Sequence, residues 1–230
     1  MNPQALYRLM SWLSPAFPVG AYSHSSGLEW AVEQNLVNSR ATLAEWIRQV
    51  VTAGAIRSDA VLLAYCYRAT ADRNQTRLIE IAELAAALHP GRERRLESVS
   101  QGAAFRRVAL AAAPCAELRM LDTTGDDALC YPVAVGVVAA GHGIALPFAL
   151  TAYLHAAASN LVSAGQRLIP LGQTDAQIAI GELEPAICTI AEWASGLSDA
   201  DPLEVIHSST LMADLASLAH ETQYTRLFRT

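Results

Sequence analysis

The chain reads as all-α, and three observations carry that reading. Alanine, the strongest helix former, fills 43 of the 230 positions. Apolar residues recur three and four apart in segment after segment. No sustained stretch alternates β-branched and polar residues, the period-2 pattern of a half-buried strand. The expected architecture is one domain over residues 1–230, a bundle of roughly eight to ten helices with two central helices buried.

An elbow between two helices comes first, at Ser14–Glu33 (SPAFPVGAYSHSSGLEWAVE). Pro15 and Pro18 each fix their own φ and push the preceding residue out of the helical region, and Gly20 adds backbone freedom. The polar cluster Tyr22, Ser23, His24, Ser25 and Ser26 follows. From Gly27 an amphipathic helix begins, with Leu28, Trp30, Ala31 and Val32. Spacing alone leaves two readings open: a surface that presents groups to something, or an ordinary connection whose serines cap the next helix.

Thr42–Glu45 has the form of a capping box, followed by the stripe Leu43, Trp46, Ile47, Val50 and Val51. Val61, Leu62, Tyr65 and Cys66 mark the next helix, and residues 76–88 another, closed by His89–Pro90–Gly91. Residues 92–113 carry Arg92, Glu93, Arg94, Arg95 and Glu97, which reads as a solvated helix face. Residues 114–127, with Pro114, Gly125 and three aspartates, read as a loop.

From Ala128 to Gln166 there is no Asp, Glu, Lys or Arg in 39 residues. A membrane span needs about 20 apolar residues in a row. Gly141–His142–Gly143 and Pro147 break this run, so it reads as two interior helices, with Pro147 in the first turn of the second. Pro170 and Gly172 then precede a helix bearing Ile178, Ile180, Leu183 and Ile187, with Gln173 or Thr174 as its expected cap. Asp201–Pro202 opens a short segment, and residues 209–219 form the last apolar helix.

Composition excludes several functions. All 16 basic residues are Arg, so there is no P-loop lysine, Schiff-base lysine or lysine general base. A net charge of −6 argues against a nucleic-acid surface. Cys66, Cys115, Cys130 and Cys188 form no CxxC pair and read as reduced thiols of a cytoplasmic protein. The N-terminus lacks the basic-then-apolar pattern of a secretory signal.

Catalytic and metal constellations are sparse. His24, His142, His155, His207 and His220 have no second ligand at HxH or HExxH spacing, and His155 reads as a core histidine. Neither a dedicated metal site nor a cofactor is expected, only transient contact with a passing ion. Ser23 and Ser25 flank His24 without any G-x-S-x-G elbow. An enzymatic alternative would be a buried polar pocket around Tyr153, His155, Ser159 and Asn160. The C-terminal run 221–230 places Tyr224, Leu227 and Phe228 among Arg226 and Arg229, a composition typical of interface anchors.

Three stretches, SPAFPVGAYSHSSGLEWAVE, RLIPLGQTD (Arg167–Asp175) and HETQYTRLFR (His220–Arg229), together resemble the urease accessory protein UreF family. The resemblance implies a non-enzymatic homodimeric chaperone for nickel loading of apo-urease, bridging UreD (UreH in some systems) and the GTPase UreG. It implies partner-binding roles for Pro15, Pro18, Gly20, Tyr22, Ser23, His24, Gly172, Gln173, Tyr224, Arg226, Phe228 and Arg229. It further implies that residues 221–230 order on meeting UreD, with Arg226 as the anchor reaching toward Tyr22. The chain departs from the family at Ala219, where Arg is common, at Ala176, where Gly is common, and at Cys130, where His often precedes Tyr-Pro.

Overall fold

Helix α1 (Pro3–Trp12) begins where the Asn2 side chain accepts the Ala5 N–H at 2.7 Å, with Pro3 in the first turn. The structure, a computed structural model, describes residues 2–122, 125, 128–197 and 201–230. Among these lie eleven α-helices, two 3₁₀ turns and no strand, so the all-α expectation holds. The count exceeds the expected eight to ten by one: α2 (Leu28–Glu33) is the helix expected from Gly27, and α10 (Pro202–Val205) is a single helical turn where the sequence marks only a short segment.

Helix α7 (Tyr131–Gly141) is the centre of the core. Every residue from Pro132 to Ala139 is buried, as befits a helix apolar on all sides. It packs on α4 (Ala55–Ala71) and α6 (Arg92–Ala112). Gly136 permits its close approach to α4, because a Cβ there would lie 2.7 Å from the Leu63 carbonyl oxygen. Helix α8 (Leu146–Leu168) packs on α9 (Gln173–Ser195) and on α3 (Arg40–Ala53). Its other side faces outward, and there His155 is exposed, contrary to its reading as a core histidine. Helix α5 (Gln75–Ala87) completes the core against α4, and α11 (Leu211–His220) lies on α2 and α6.

Several local expectations are corrected. The capping box of α3 begins at Ser39, whose side chain accepts the Thr42 N–H, so Thr42 is its third-position partner and not its cap. Helix α9 starts at Gly172 with no side-chain cap hydrogen bond from Gln173 or Thr174. The expected 114–127 loop contains a 3₁₀ turn at Ala116–Leu121, while its residues 123, 124, 126 and 127 lie outside the described ones. Arg40–Ala71 is the one described stretch long and apolar enough to cross a membrane, but it is two helices parted at Gly54, and 61% of its most apolar part is buried.

The elbow is fixed to α11 through Gly27. Its φ is +82°, and a Cβ there would lie 2.5 Å from the Ser217 backbone nitrogen. A Gly27→Ala substitution is expected to cost about 2–4 kcal/mol, from left-handed strain plus the forced separation of α2 from α11. Urea denaturation checks this, with a lowered midpoint at unchanged slope as the expected result.

Candidate functional site: the elbow, the C-terminal strap and an adjoining cavity

Gly20 takes the left-handed conformation (φ +77°) and turns the chain into the 3₁₀ turn Ala21–Ser23. This exposes Tyr22 at 73% while His24 and Ser25 point inward. The Asn160 amide of α8 donates to the His24 carbonyl at 3.3 Å and ties the elbow to the core. Phe17 packs on Phe105 (ring centroids 5.2 Å), Phe105 on Tyr131 (5.6 Å) and Tyr131 on Tyr153 (5.5 Å), an aromatic ladder from elbow to α8.

The C-terminal residues lie along this elbow as an extended strap. Arg229 donates its N–H to the Ser23 carbonyl at 2.9 Å, and Ser25 donates its N–H to the Thr230 carbonyl at 2.7 Å. His24 Nδ1 stands 2.7 Å from Thr230 Oγ1. Burial, partly opposed by Glu97, lowers the His24 pKa, so the ring is neutral near pH 7. Phe228 and Thr230 are buried, whereas Tyr224 is fully exposed and Leu227 largely so. The Arg167 guanidinium lies 4.2 Å from the Phe228 ring centroid. The elbow and C-terminal stretches that carry the family resemblance therefore meet at one place, and the third reaches it through Arg167.

Beneath the strap is a buried charge network. Glu29 accepts the N–H groups of Leu227 (2.6 Å) and Phe228 (2.9 Å) and pairs with His220 Nε2 at 3.1 Å. Glu93 holds His220 Nδ1 at 2.7 Å and Arg226 Nη1 at 2.5 Å. Glu97 accepts from Arg94 (2.6 Å), Ser26 (3.1 Å) and Thr230 (3.2 Å). Burial lowers the Arg94 pKa, but the charges of Glu97 and Asp59 outweigh it, so the net shift is upward and the cation is held. The charged run of α6 is thus only in part a solvated face: Arg92 and Arg95 are exposed, while Glu93 and Glu97 are not. Glu93 and Glu97 are buried because the strap, Ser26 of the elbow and His220 of α11 cover them.

The expected site residues divide accordingly. Ser23, His24, Arg226, Phe228 and Arg229 enter this network through side chain or backbone. Tyr22, Tyr224, Pro15 and Pro18 stand exposed beside it. Arg226 reaches Glu93, and no hydrogen bond joins it to Tyr22 among the described residues. Gly172 and Gln173 are exposed at the start of α9 and take no part in the network. Glu29 and Asp59 carry no mark in the sequence, and Glu93, Arg94 and Glu97 read there as a solvated face, since nothing in their spacing distinguishes a buried charge from a solvated one.

Beside the strap opens a cavity of about 230 Å³, lined by Tyr22, Asp59, Arg94, Gln101, Tyr131 and Tyr153 among others. Tyr153 donates to Asp59 Oδ2 at 3.0 Å. Asp59 lies deep in the protein yet keeps contactable surface toward the cavity. Desolvation raises its pKa to about 6, against the opposing charge of Arg94. The unfolded carboxylate titrates near 3.9 and the folded one higher, so stability falls as pH rises through about 4 to 6. Asp59→Asn, which keeps an acceptor for Tyr153, is expected to stabilise the chain by about 1–2 kcal/mol at pH 7 and by nothing at pH 3. Thermal melts at the two pH values check this.

His155, Ser159 and Asn160 also line the cavity. Ser159 Oγ and His155 Nε2 are 3.4 Å apart on its exposed side, with no third group orienting the imidazole among the described residues. Among those residues no three His, Cys, Asp or Glu side chains come close enough to hold a metal ion. Cys130 is buried at the start of α7, 3.4 Å from His89 Nε2, and burial pushes its thiol up to about 11.

These features define an all-helical protein whose polar residues join its two chain ends into one surface beside a cavity. The UreF family model matches residues 37–184. The chain is 52% identical over 225 residues to "Urease accessory protein UreF" of Rhodopseudomonas palustris (strain TIE-1), covering 98% of this chain and 92% of the relative. It is likewise 52% identical to the protein of that name from Bradyrhizobium diazoefficiens, covering 98% and 91%. A third, from Bradyrhizobium sp. (strain BTAi1), is 52% identical over 230 residues, covering 100% and 93%. The chain belongs to the UreF family.

Proposed function

We propose that this chain is a cytoplasmic urease accessory protein that works as a homodimeric scaffold, without enzymatic activity or a resident cofactor. In this reading it bridges UreD (UreH) and UreG, and it controls when GTP hydrolysis by UreG releases nickel to apo-urease. One observation carries it: large apolar side chains stand exposed at helical spacing on the two terminal helices and on the strap. On α11 these are Leu211 (71%), Met212, Leu215 and Leu218, on α1 Tyr7 and Met10, and on the strap Tyr224 and Leu227. Such faces gain free energy only when a partner covers them.

Ordering residues 221–230 costs about 1–2 kcal/mol per residue. Burial of Phe228 returns about 2–3 kcal/mol and each hydrogen bond about 1. Its own anchors therefore hold the strap marginally, and a partner covering Tyr224 and Leu227 supplies the rest. Transient nickel passage fits the same scaffold.

Co-elution of the purified chain with UreD and UreG, with and without GTP, tests the proposal. A stable complex that includes UreG and responds to GTP is expected, with the chain alone dimeric and retaining no stoichiometric nickel. Failure to co-elute with either partner would overturn it. Tyr22, exposed on a rigid turn and free of hydrogen bonds among the described residues, is expected to serve recognition. Tyr22→Ala should leave helicity and dimer intact while weakening assembly by about 2 kcal/mol, read as a roughly thirtyfold rise in Kd.

A further inference from the structure

We propose that the cavity between the elbow, α4, α6 and α8 binds an organic monocation, a guanidinium or alkylammonium group, with Asp59 as its charge partner. The inference stands independently of the scaffold reading.

The charges around the cavity favour a cation. Two carboxylates, Asp59 and Glu97, and one arginine, Arg94, line the space. Arg94 is already committed, donating to Glu97 at 2.6 Å and to Ser26 at 2.5 Å. Asp59 receives only the neutral Tyr153 hydroxyl as a hydrogen-bond donor among the described residues, so its ionised form lacks a contacting cation. Burial accordingly raises its pKa to about 6. An anion entering here would meet two carboxylates with the nearest guanidinium already occupied.

Chemistry narrows the cation. Gln101 is only 6% exposed and faces the cavity, yet its side-chain amide has no hydrogen-bond partner among the described residues. The amide opens onto the cavity, and its carbonyl is an acceptor free to take an N–H donor there. Tyr131 and Tyr153 present rings 5.5 Å apart, while Leu13, Val19, Ile56 and Leu161 supply apolar wall. Aromatic faces and aliphatic walls suit an organic cation with a short hydrocarbon stem. A metal ion would need a tighter cluster of ligands than these residues provide. At about 230 Å³ the space is smaller than the ~300–1,000 Å³ of drug-sized ligand sites, and it fits a side chain or a small amine. A binding role would explain why Asp59 stands here despite its stability cost.

Calorimetric titration of the full chain with n-butylguanidinium and n-butylammonium tests this, with n-butanol and butyrate as controls. Saturable binding of the cations at a Kd of about 1 mM or tighter is expected, with neither control binding. Asp59→Asn should weaken binding at least about tenfold, and Gln101→Leu about fivefold, with circular dichroism unchanged. If one variant fails to fold, the affinity of the other decides. A blocked tripeptide with a central arginine separates the sources: its binding indicates a protein side chain as ligand, while binding of the free cations alone indicates a small metabolite. Absence of saturable cation binding, equal binding of butanol, or undiminished affinity in the folded variants would overturn the proposal.

Discussion

Glu29→Ala is expected to destabilise the folded chain by about 3–5 kcal/mol, more than the other substitutions considered above. The Glu29 carboxylate accepts two strap N–H groups and pairs with His220, whose ring is fully buried. Removing it leaves His220 Nε2 and two backbone donors without their acceptor at once, although Nδ1 keeps Glu93. Breaking a buried network from one side carries the whole desolvation penalty of the groups left behind. Glu29→Gln keeps a single acceptor and should cost about half as much. Urea denaturation measures both, and a loss below about 1 kcal/mol for the alanine variant would show that the network is not structural.

Deleting Tyr224–Thr230 should have the opposite profile, a modest effect on the fold and a large one on assembly. No helix extends beyond His220, and the only apolar side chain in the segment that is buried is Phe228. The truncated chain should keep its helicity and dimer, lose about 2–3 kcal/mol, and fail to recruit UreG or support urease activation. Arg226→Ala should reproduce much of that failure, since Arg226 ties the strap to Glu93 of α6. Normal activation by the truncated chain would remove the strap from the mechanism.

Local signals and long-range ones differ in how far the sequence reveals them. Period and punctuation made the helices legible. The uncharged run from Ala128 to Gln166 became α7 and α8, with the turn at Gly141–Gly143 where glycine requires it. The elbow was legible for the same reason, since prolines and glycines act locally. The network beneath the strap was not. Glu93 and Glu97 sit in a run of charges that reads as solvated on any helical wheel, and the groups that cover them, from Ser26 of the elbow to His220 and Thr230, lie 71 to 133 residues away. Asp59 was invisible likewise, because its burial depends on Tyr153 and Arg94 arriving from α8 and α6. His155 departs in the other direction, exposed on a helix whose neighbouring Tyr153 and Leu154 are buried. Composition tells how much of a helix is apolar, but tertiary packing decides which polar face is covered.

Amide hydrogen exchange at Leu227, Phe228 and Arg229, in the chain alone and in its complex with UreD, tests most directly whether the strap is the partner-dependent element. These amides donate to Glu29 and to the Ser23 carbonyl, so their protection reports docking of the strap. Weak protection is expected in the chain alone, well below that of α7, with a rise of about a hundredfold or more in the complex. Protection equal to that of α7 in the chain alone, or no change when UreD binds, would contradict a strap that a partner must complete.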